Sequence, residues 1–372
     1  MTRHGTAIAL ALVAPLALGA AGASSASASP LGTGAAKVPS AYESSKAVSL
    51  DGAGANSIDP FFAKAFYDYH AAHPTVSINY SPAGSSVGVT DIQQGTVNFG
   101  DTEIPMSAKD LAKAKGTVLQ IPVDLGGVAI SYNVPGSPKG LKLDGPTLAR
   151  IFDGTITNWD SPVIAAVTGD KRLPNLAIVP VHRADSSGPG WDLDEYLIKT
   201  SPVWVAKTGT SVASKTWALT KVGVGEQLNT GVATYISQTP GAVGYVEYGY
   251  ALQAGFADAA LKNGAGNYVA PSKTSIAQAG ARATKLSAAN FSIINEPGGS
   301  YPLANFSWTL IYQKQSDTAK GAALQQLFTY VVTTGQAQAA QLGYAPLPAG
   351  VVALAKATLA KLENSAGKPL VG

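Results

Sequence analysis

Three stretches of this 372-residue chain combine glycine and serine with the start of a helix, and one of them carries an arginine. They are Gly52-Ala53-Gly54-Ala55-Asn56-Ser57 ahead of Pro60, Gly84-Ser85-Ser86-Val87-Gly88, and Arg183-Ala184-Asp185-Ser186-Ser187-Gly188. Glycine lets backbone approach a ligand closely. Serine hydroxyls donate hydrogen bonds. A helix N-terminus adds unpaired amides and the positive end of its dipole. Arg183 offers a planar fork for two oxygens, and Asp185 stands two residues on to hold the guanidinium in place. The chemistry these groups share is capture of an oxyanion. Each loop alone is an ordinary helix cap; three of them with an arginine describe a candidate site.

A fourth segment, Asn98-Phe99-Gly100-Asp101-Thr102-Glu103, follows a strand pattern and precedes a capping box from Ser107 to Asp110. It brings Asp101 and Glu103 towards the same cleft, and their types leave open which one faces a ligand. A carboxylate among anion ligands repels a fully deprotonated guest but accepts a hydrogen bond from a guest that keeps a proton. Phosphate near neutral pH keeps one and sulfate does not, so the carboxylate discriminates between them.

Enzymatic readings fare less well. Gly84-Ser85-Ser86-Val87-Gly88 fits the G-x-S-x-G nucleophile elbow between a strand and a helix. A hydrolase then needs a histidine base. The four histidines are His4, His70, His73 and His182, and none lies in the C-terminal part where the Ser…Asp…His order places it. No spacing of histidines or carboxylates suggests a metal site, and the chain has no cysteine, which excludes thiolate catalysis and zinc–thiolate centres. No enzyme and no cofactor are expected.

The elements that must hold these loops alternate. Strand candidates are Val76–Tyr80, Val97–Gly100, Val118–Val123, Val128–Asn133, Leu176–Val181 and Trp308–Tyr312. Helical stripes appear at Phe61, Phe62, Ala65, Phe66 and Tyr69, and again at Leu324, Leu327, Phe328, Val331 and Val332. Alternation of this kind predicts an α/β fold with mostly parallel strands. Hydrophobic residues make up 46% and charged residues 13%, about half the usual share, so the chain buries a large core. A net charge of +3 without a basic stripe excludes a nucleic-acid partner.

Arg3 and His4, an uncharged stretch from Ala7 to Gly22 and the Ala26-Ser27-Ala28 cleavage pattern read as a signal peptide over 1–28. A flexible leader over 29–45 follows. The expected product is exported (periplasmic, cell-envelope or secreted) and has no N-terminal lipid anchor, since there is no cysteine at the cleavage point. Ile121-Pro122 and Tyr301-Pro302 are taken as crossovers. They divide the rest into a discontinuous lobe I, 45–121 plus 303–372, and a lobe II, 122–302.

From about Leu50 to the C-terminus the chain resembles the PstS family of phosphate-binding proteins of phosphate ABC transporters. The strings that carry the likeness are Gly52-Ala53-Gly54-Ala55, Gly84-Ser85-Ser86, Phe99-Gly100…Pro105…Ser107 and Arg183-Ala184-Asp185…Ser187-Gly188. To these are added Pro240-Gly241-Ala242-Val243-Gly244-Tyr245-Val246-Glu247-Tyr248 and Ser365-Ala366-Gly367-Lys368-Pro369-Leu370. The resemblance implies a two-lobe periplasmic-binding-protein (type II) fold joined by two crossover strands. It also implies a monomer that binds inorganic phosphate in the cleft and hands it to a membrane permease. By position Ser85, Arg183, Ser187 and Gly188 are phosphate ligands and Asp185 supports the arginine. Asn56 and Ser57, which stand in place of the family's Thr-Phe, and Glu103, in place of its proton-accepting aspartate, are by the same resemblance expected to bind phosphate as well. Asp101 is an extra acid, and Pro189 stands where the family has a threonine amide. These departures keep two alternatives in view, a secreted phosphomonoesterase-like enzyme and a binder of another oxyanion or a phosphorylated small molecule.

Overall fold

The computed structural model describes residues 47–169, 173–212 and 216–370. The expected signal peptide and the leader lie outside the described residues. No described helix is long and apolar enough to cross a membrane.

The chain alternates as its periodicity dictates. Strand β1 (Val48–Gly54) leads into helix α1 (Asp59–Ala72), which has Pro60 in its first turn. Then come β2 (Val76–Ser81), α2 (Ser85–Gln94) and β3 (Phe99–Thr102). A long strand, β4 (Val118–Tyr132), leads to the second half. There β5 (Val179–Arg183), α3 (Gly188–Thr200), β6 (Val224–Glu226), α4 (Leu228–Gln238), β7 (Ala242–Glu247) and α5 (Tyr248–Ala254) follow. Strand β8 (Ala304–Tyr312) and helix α6 (Thr318–Val332) return to the first half. The short Ser107 helix carries the expected capping box with Asp110.

The strands form one path, β2-β1-β3-β8-β4-β7-β5-β6, to which Ala257–Asp258 adds a short strand on β4. Pairing is parallel at both flanks, β1 with β2 and β3, and β5 with β6 and β7. It is antiparallel where β8 meets β3 and β4 and where β4 meets β7. The expectation of mostly parallel strands is therefore corrected to a mixed sheet. The chain leaves the first half on β4 and comes back on β8, and two strands that cross in opposite senses can only pair antiparallel.

The two strands expected at Val118–Val123 and Val128–Asn133 are one. Pro122 does not end it. The register of β4 against β8 shifts between Ser307 and Trp308, with Pro122 opposite Trp308, so the residue with no N–H sits at a bulge. The strand changes partner instead, pairing with β8 through Gly127 and with β7 from Val128.

Aromatic packing fixes both halves. In the first, Phe62 and Phe66 of α1 meet Phe99 of β3 and Phe328 of α6, with ring centres 4.6–6.5 Å apart. In the second, Trp217 lies between Phe152, Trp204 and Tyr245 at 5.2–5.5 Å. Helix α2 seats on β3 through Gly88. A Cβ there would stand 2.3 Å from the Asp101 carbonyl, so close helix–strand contact explains this glycine of the G-x-S-x-G pattern.

Candidate anion-binding site

All of the loops singled out by sequence open on the junction between the two halves. The β1–α1 loop supplies Asn56 and Ser57, the head of α2 supplies Ser85, and the end of β3 runs on into Glu103. From the other side, β5 ends at Arg183 and α3 begins at Gly188, with Ser187 as its N-cap. Asn56, Ser57, Ser85, Glu103, Arg183 and Ser187 are all buried.

Glu103 is the meeting point. Its Oε2 accepts from the Ser85 hydroxyl at 3.2 Å and from the Gly188 amide at 3.1 Å, and its Oε1 from Asn305 at 3.4 Å. Gly188 belongs to the second half, so the first two bonds join the halves through one carboxylate. Burial pushes the Glu103 carboxyl above its usual range. The Ser57 hydroxyl, the Arg183 charge, Ser85 and the Gly188 amide pull the other way and favour its ionised form.

Arg183 is 2% exposed and is the only buried lysine or arginine among the described residues. Asp185 holds it: Nε donates to Oδ1 at 2.7 Å and Nη2 pairs with Oδ2. The Leu228 amide also donates to Asp185 Oδ1, at 3.0 Å, and the Arg183 amide donates to the Tyr245 hydroxyl at 2.9 Å. With one face of the fork fixed, Arg183 Nη1 remains a buried donor with no protein acceptor, while the Ser57 hydroxyl acts on Glu103 without a close hydrogen bond of its own. Buried donors of this kind cost free energy until something accepts from them. Ser187 Oγ accepts the Gly190 amide at 3.1 Å, which leaves its own proton to donate.

Asp101 is placed differently. Its carboxylate accepts from Ser307 at 2.6 Å and Thr309 at 3.2 Å, both on β8, and burial holds its carboxyl well above the usual range. It braces β3 against β8, while Glu103 faces the converging donors. The Asn56 side chain is spent on the opposite half: Nδ2 donates to the Tyr250 hydroxyl at 3.1 Å, and Oδ1 accepts the Asn229 amide at 2.9 Å. The Ser57 carbonyl accepts from the Tyr344 hydroxyl. At the rim the Ser86 and Ser186 hydroxyls pair at 2.5 Å.

Sequence reasoning missed the acids and amides beneath the site. Asp192 of α3 accepts from Asn305 at 2.5 Å, and Glu247 of β7 accepts the Gly127 amide at 2.8 Å. With Asp124 on β4, both are buried and pushed well above the ordinary carboxylate range, first by burial and also by Glu103. A lone aspartate inside the apolar run Ile121-Pro122-Val123-Asp124-Leu125 was the available signal.

Residues 26–334 match the PBP superfamily domain. The chain is 36% identical over 318 residues to the phosphate-binding protein PstS of Xylella fastidiosa, covering 84% of this chain and 85% of that one. It is 35% identical over 332 residues to the PstS of Pasteurella multocida, covering 87% and 94%. The chain belongs to the PstS family. Among solved structures, a high-affinity periplasmic phosphate-binding protein bound with phosphate superposes with a TM-score of 0.65 at 20% identity, covering 83% of this chain and 93% of that one. A phosphate-binding protein from Stenotrophomonas maltophilia gives 0.64 at 19%, covering 87% and 99%. The family fold is two α/β lobes joined by crossover strands.

Proposed function

We propose that this PstS-family chain binds inorganic phosphate between its lobes and delivers it to the permease of an ABC transporter. The observation that carries the reading is the meeting of the Ser85 hydroxyl and the Gly188 amide at one buried carboxylate oxygen of Glu103, with the Ser57 hydroxyl and the Arg183 charge acting on the same group, Arg183 Nη1 left unpaired, and the Ser187 cap next in sequence to Gly188. These are hydroxyl, amide and guanidinium donors, the set that surrounds a tetrahedral oxyanion. In this reading Ser57, Ser85, Arg183, Ser187 and Gly188 are ligands and Glu103 accepts the proton the anion keeps. Asp185 fixes the arginine, while Asp101 and Asn56 act on the frame around the site.

The electrostatics suit a protonated guest. One guanidinium, already paired with Asp185, faces Glu103 with Asp101, Asp124, Asp192 and Glu247 behind it. A fully deprotonated anion meets repulsion there that a hydrogen-bond donor avoids. The chain is read as a monomeric binding protein and not as an enzyme. The Ser86 hydroxyl is engaged by Ser186, and the His182 ring lies beside Trp217 with its Nδ1 at the Arg183 carbonyl. Lobe I is assigned to 45–121 plus 303–372 and lobe II to 122–302, and the exported form is placed outside the cytoplasmic membrane without an N-terminal lipid.

Calorimetric titration tests this. Phosphate should bind saturably, with a one-to-one stoichiometry, and a large excess of sulfate should compete little. Equal binding of the two anions overturns the role of Glu103. Preference for a phosphoester or another oxyanion replaces the substrate.

A further inference from the structure

The groups assigned to the anion are occupied by the protein's own carboxylate. Glu103 Oε2 lies 3.2 Å from Ser85 Oγ and 3.1 Å from the Gly188 amide, in the attractive field of Arg183 and beside the Ser57 hydroxyl. Ser85 and Glu103 come from one lobe, Gly188 and Arg183 from the other. Glu103 is 4% exposed, and a Cβ on Gly188 would come within 2.1 Å of Oε2, so the fit leaves no slack. A second contact clamps the same side chain, as Asn305 donates to Oε1 at 3.4 Å while holding Asp192 at 2.5 Å.

We propose that Glu103 is a tethered anion: its carboxylate takes the place of a ligand oxygen, draws the lobes together and competes with phosphate for Ser85 and Gly188. This rests on the phosphate reading and deepens it. An aspartate at 103 is one methylene shorter. It still accepts a proton from phosphate at the edge of the site, but it does not span from the first lobe to the Gly188 amide. The glutamate therefore sets affinity, and it makes release of its own two bonds a step in loading. Phosphate enters as Glu103 swings off the α3 terminus and stays as acceptor of the phosphate proton.

Two measurements on the full chain, dialysed free of phosphate, decide this. Small-angle scattering should give nearly the same radius of gyration for wild type with and without phosphate. Glu103→Ala should be larger without phosphate and contract on adding it. Titration should show Glu103→Asp binding phosphate about tenfold more tightly than wild type, the scale of one charge-assisted hydrogen bond no longer displaced. A ligand-free wild type as expanded as Glu103→Ala overturns the proposal, and so does a Glu103→Asp protein that binds no more tightly. If neither protein binds phosphate while the scattering difference is present, the phosphate reading fails and the tethered carboxylate stands.

Discussion

Gly188 is the residue whose smallest change says most about closure. Alanine there is acceptable to the backbone, since its φ lies outside the left-handed region, yet its methyl group would meet Glu103 Oε2 at 2.1 Å, Cδ at 2.3 Å and Cβ at 2.4 Å. The carboxylate end can swing, but Glu103 Cβ is fixed to the chain beyond β3. Carbon atoms rest about 3.5 Å apart or more, so the lobes must part by roughly 1 Å at this point. Overpacking of a closed interface costs about 1–3 kcal/mol; the ligand-free variant escapes it by opening, whereas the phosphate-bound state must still bring residue 188 against Glu103 Cβ, so phosphate affinity should fall by up to roughly 5- to 150-fold. Parting the lobes relieves the clash without disturbing either core, so the ligand-free melting temperature should move by less than about 2 °C. Gly350→Ala is the control, since a Cβ there meets nothing within 4 Å. Calorimetry on the two variants and wild type supplies the test. A Gly188→Ala protein with wild-type affinity would refute the claim that α3 and Glu103 close upon each other.

Three further outcomes follow from the same geometry. Arg183→Ala should weaken phosphate binding by about 3–5 kcal/mol, because Asp185 loses its buried partner and the anion its only cation; Arg183→Lys should recover only part of this in the same titration, for want of a fork. Asn56→Ala removes the bonds to Tyr250 and the Asn229 amide; two neutral hydrogen bonds at about 1 kcal/mol each predict a 5- to 30-fold weaker Kd, read by fluorescence titration. Asp258 accepts from Ser131 at 2.6 Å and burial raises its carboxyl to about 6. A folded value above the unfolded one means the folded state holds its proton more tightly, so stability is lost as pH rises from about 4 to 6. Asp258→Asn should gain on wild type by up to about 3 kcal/mol between pH 4 and pH 7 in urea unfolding, and a constant gap between the two proteins would contradict it.

The loops were readable because their signals are local. A glycine, a serine and an amphipathic helix start occupy a few consecutive residues, and Arg183 with Asp185 forms its pair within two residues. The helices at Asp59–Ala72 and Thr318–Val332 follow from stripes that the core then buries. What stayed hidden depends on partners far along the chain. Whether Asp101 or Glu103 faces the donors is decided by hydroxyls about two hundred residues away, at Ser307 and Thr309. Asn56 read as a ligand by position, but its side chain reaches Tyr250 and Asn229, which only the folded junction brings near. Val118–Val123 and Val128–Asn133 read as two strands, yet one strand runs through both, and the bulge opposite Trp308 absorbs the missing N–H of Pro122. The buried Asp192 and Glu247 gave no sign, since a single acid in a helix or strand usually faces water.

A crystal structure of the full chain grown with phosphate tests the central claim most directly. One phosphate should lie between the lobes, within hydrogen-bond distance of Ser85, Ser187, the Gly188 amide and Arg183 Nη1, with the Glu103 carboxylate moved off Gly188 and facing a protonated oxygen. Phosphate bound elsewhere, or a cleft in which Glu103 keeps Ser85 and Gly188 at saturating phosphate, would contradict the account.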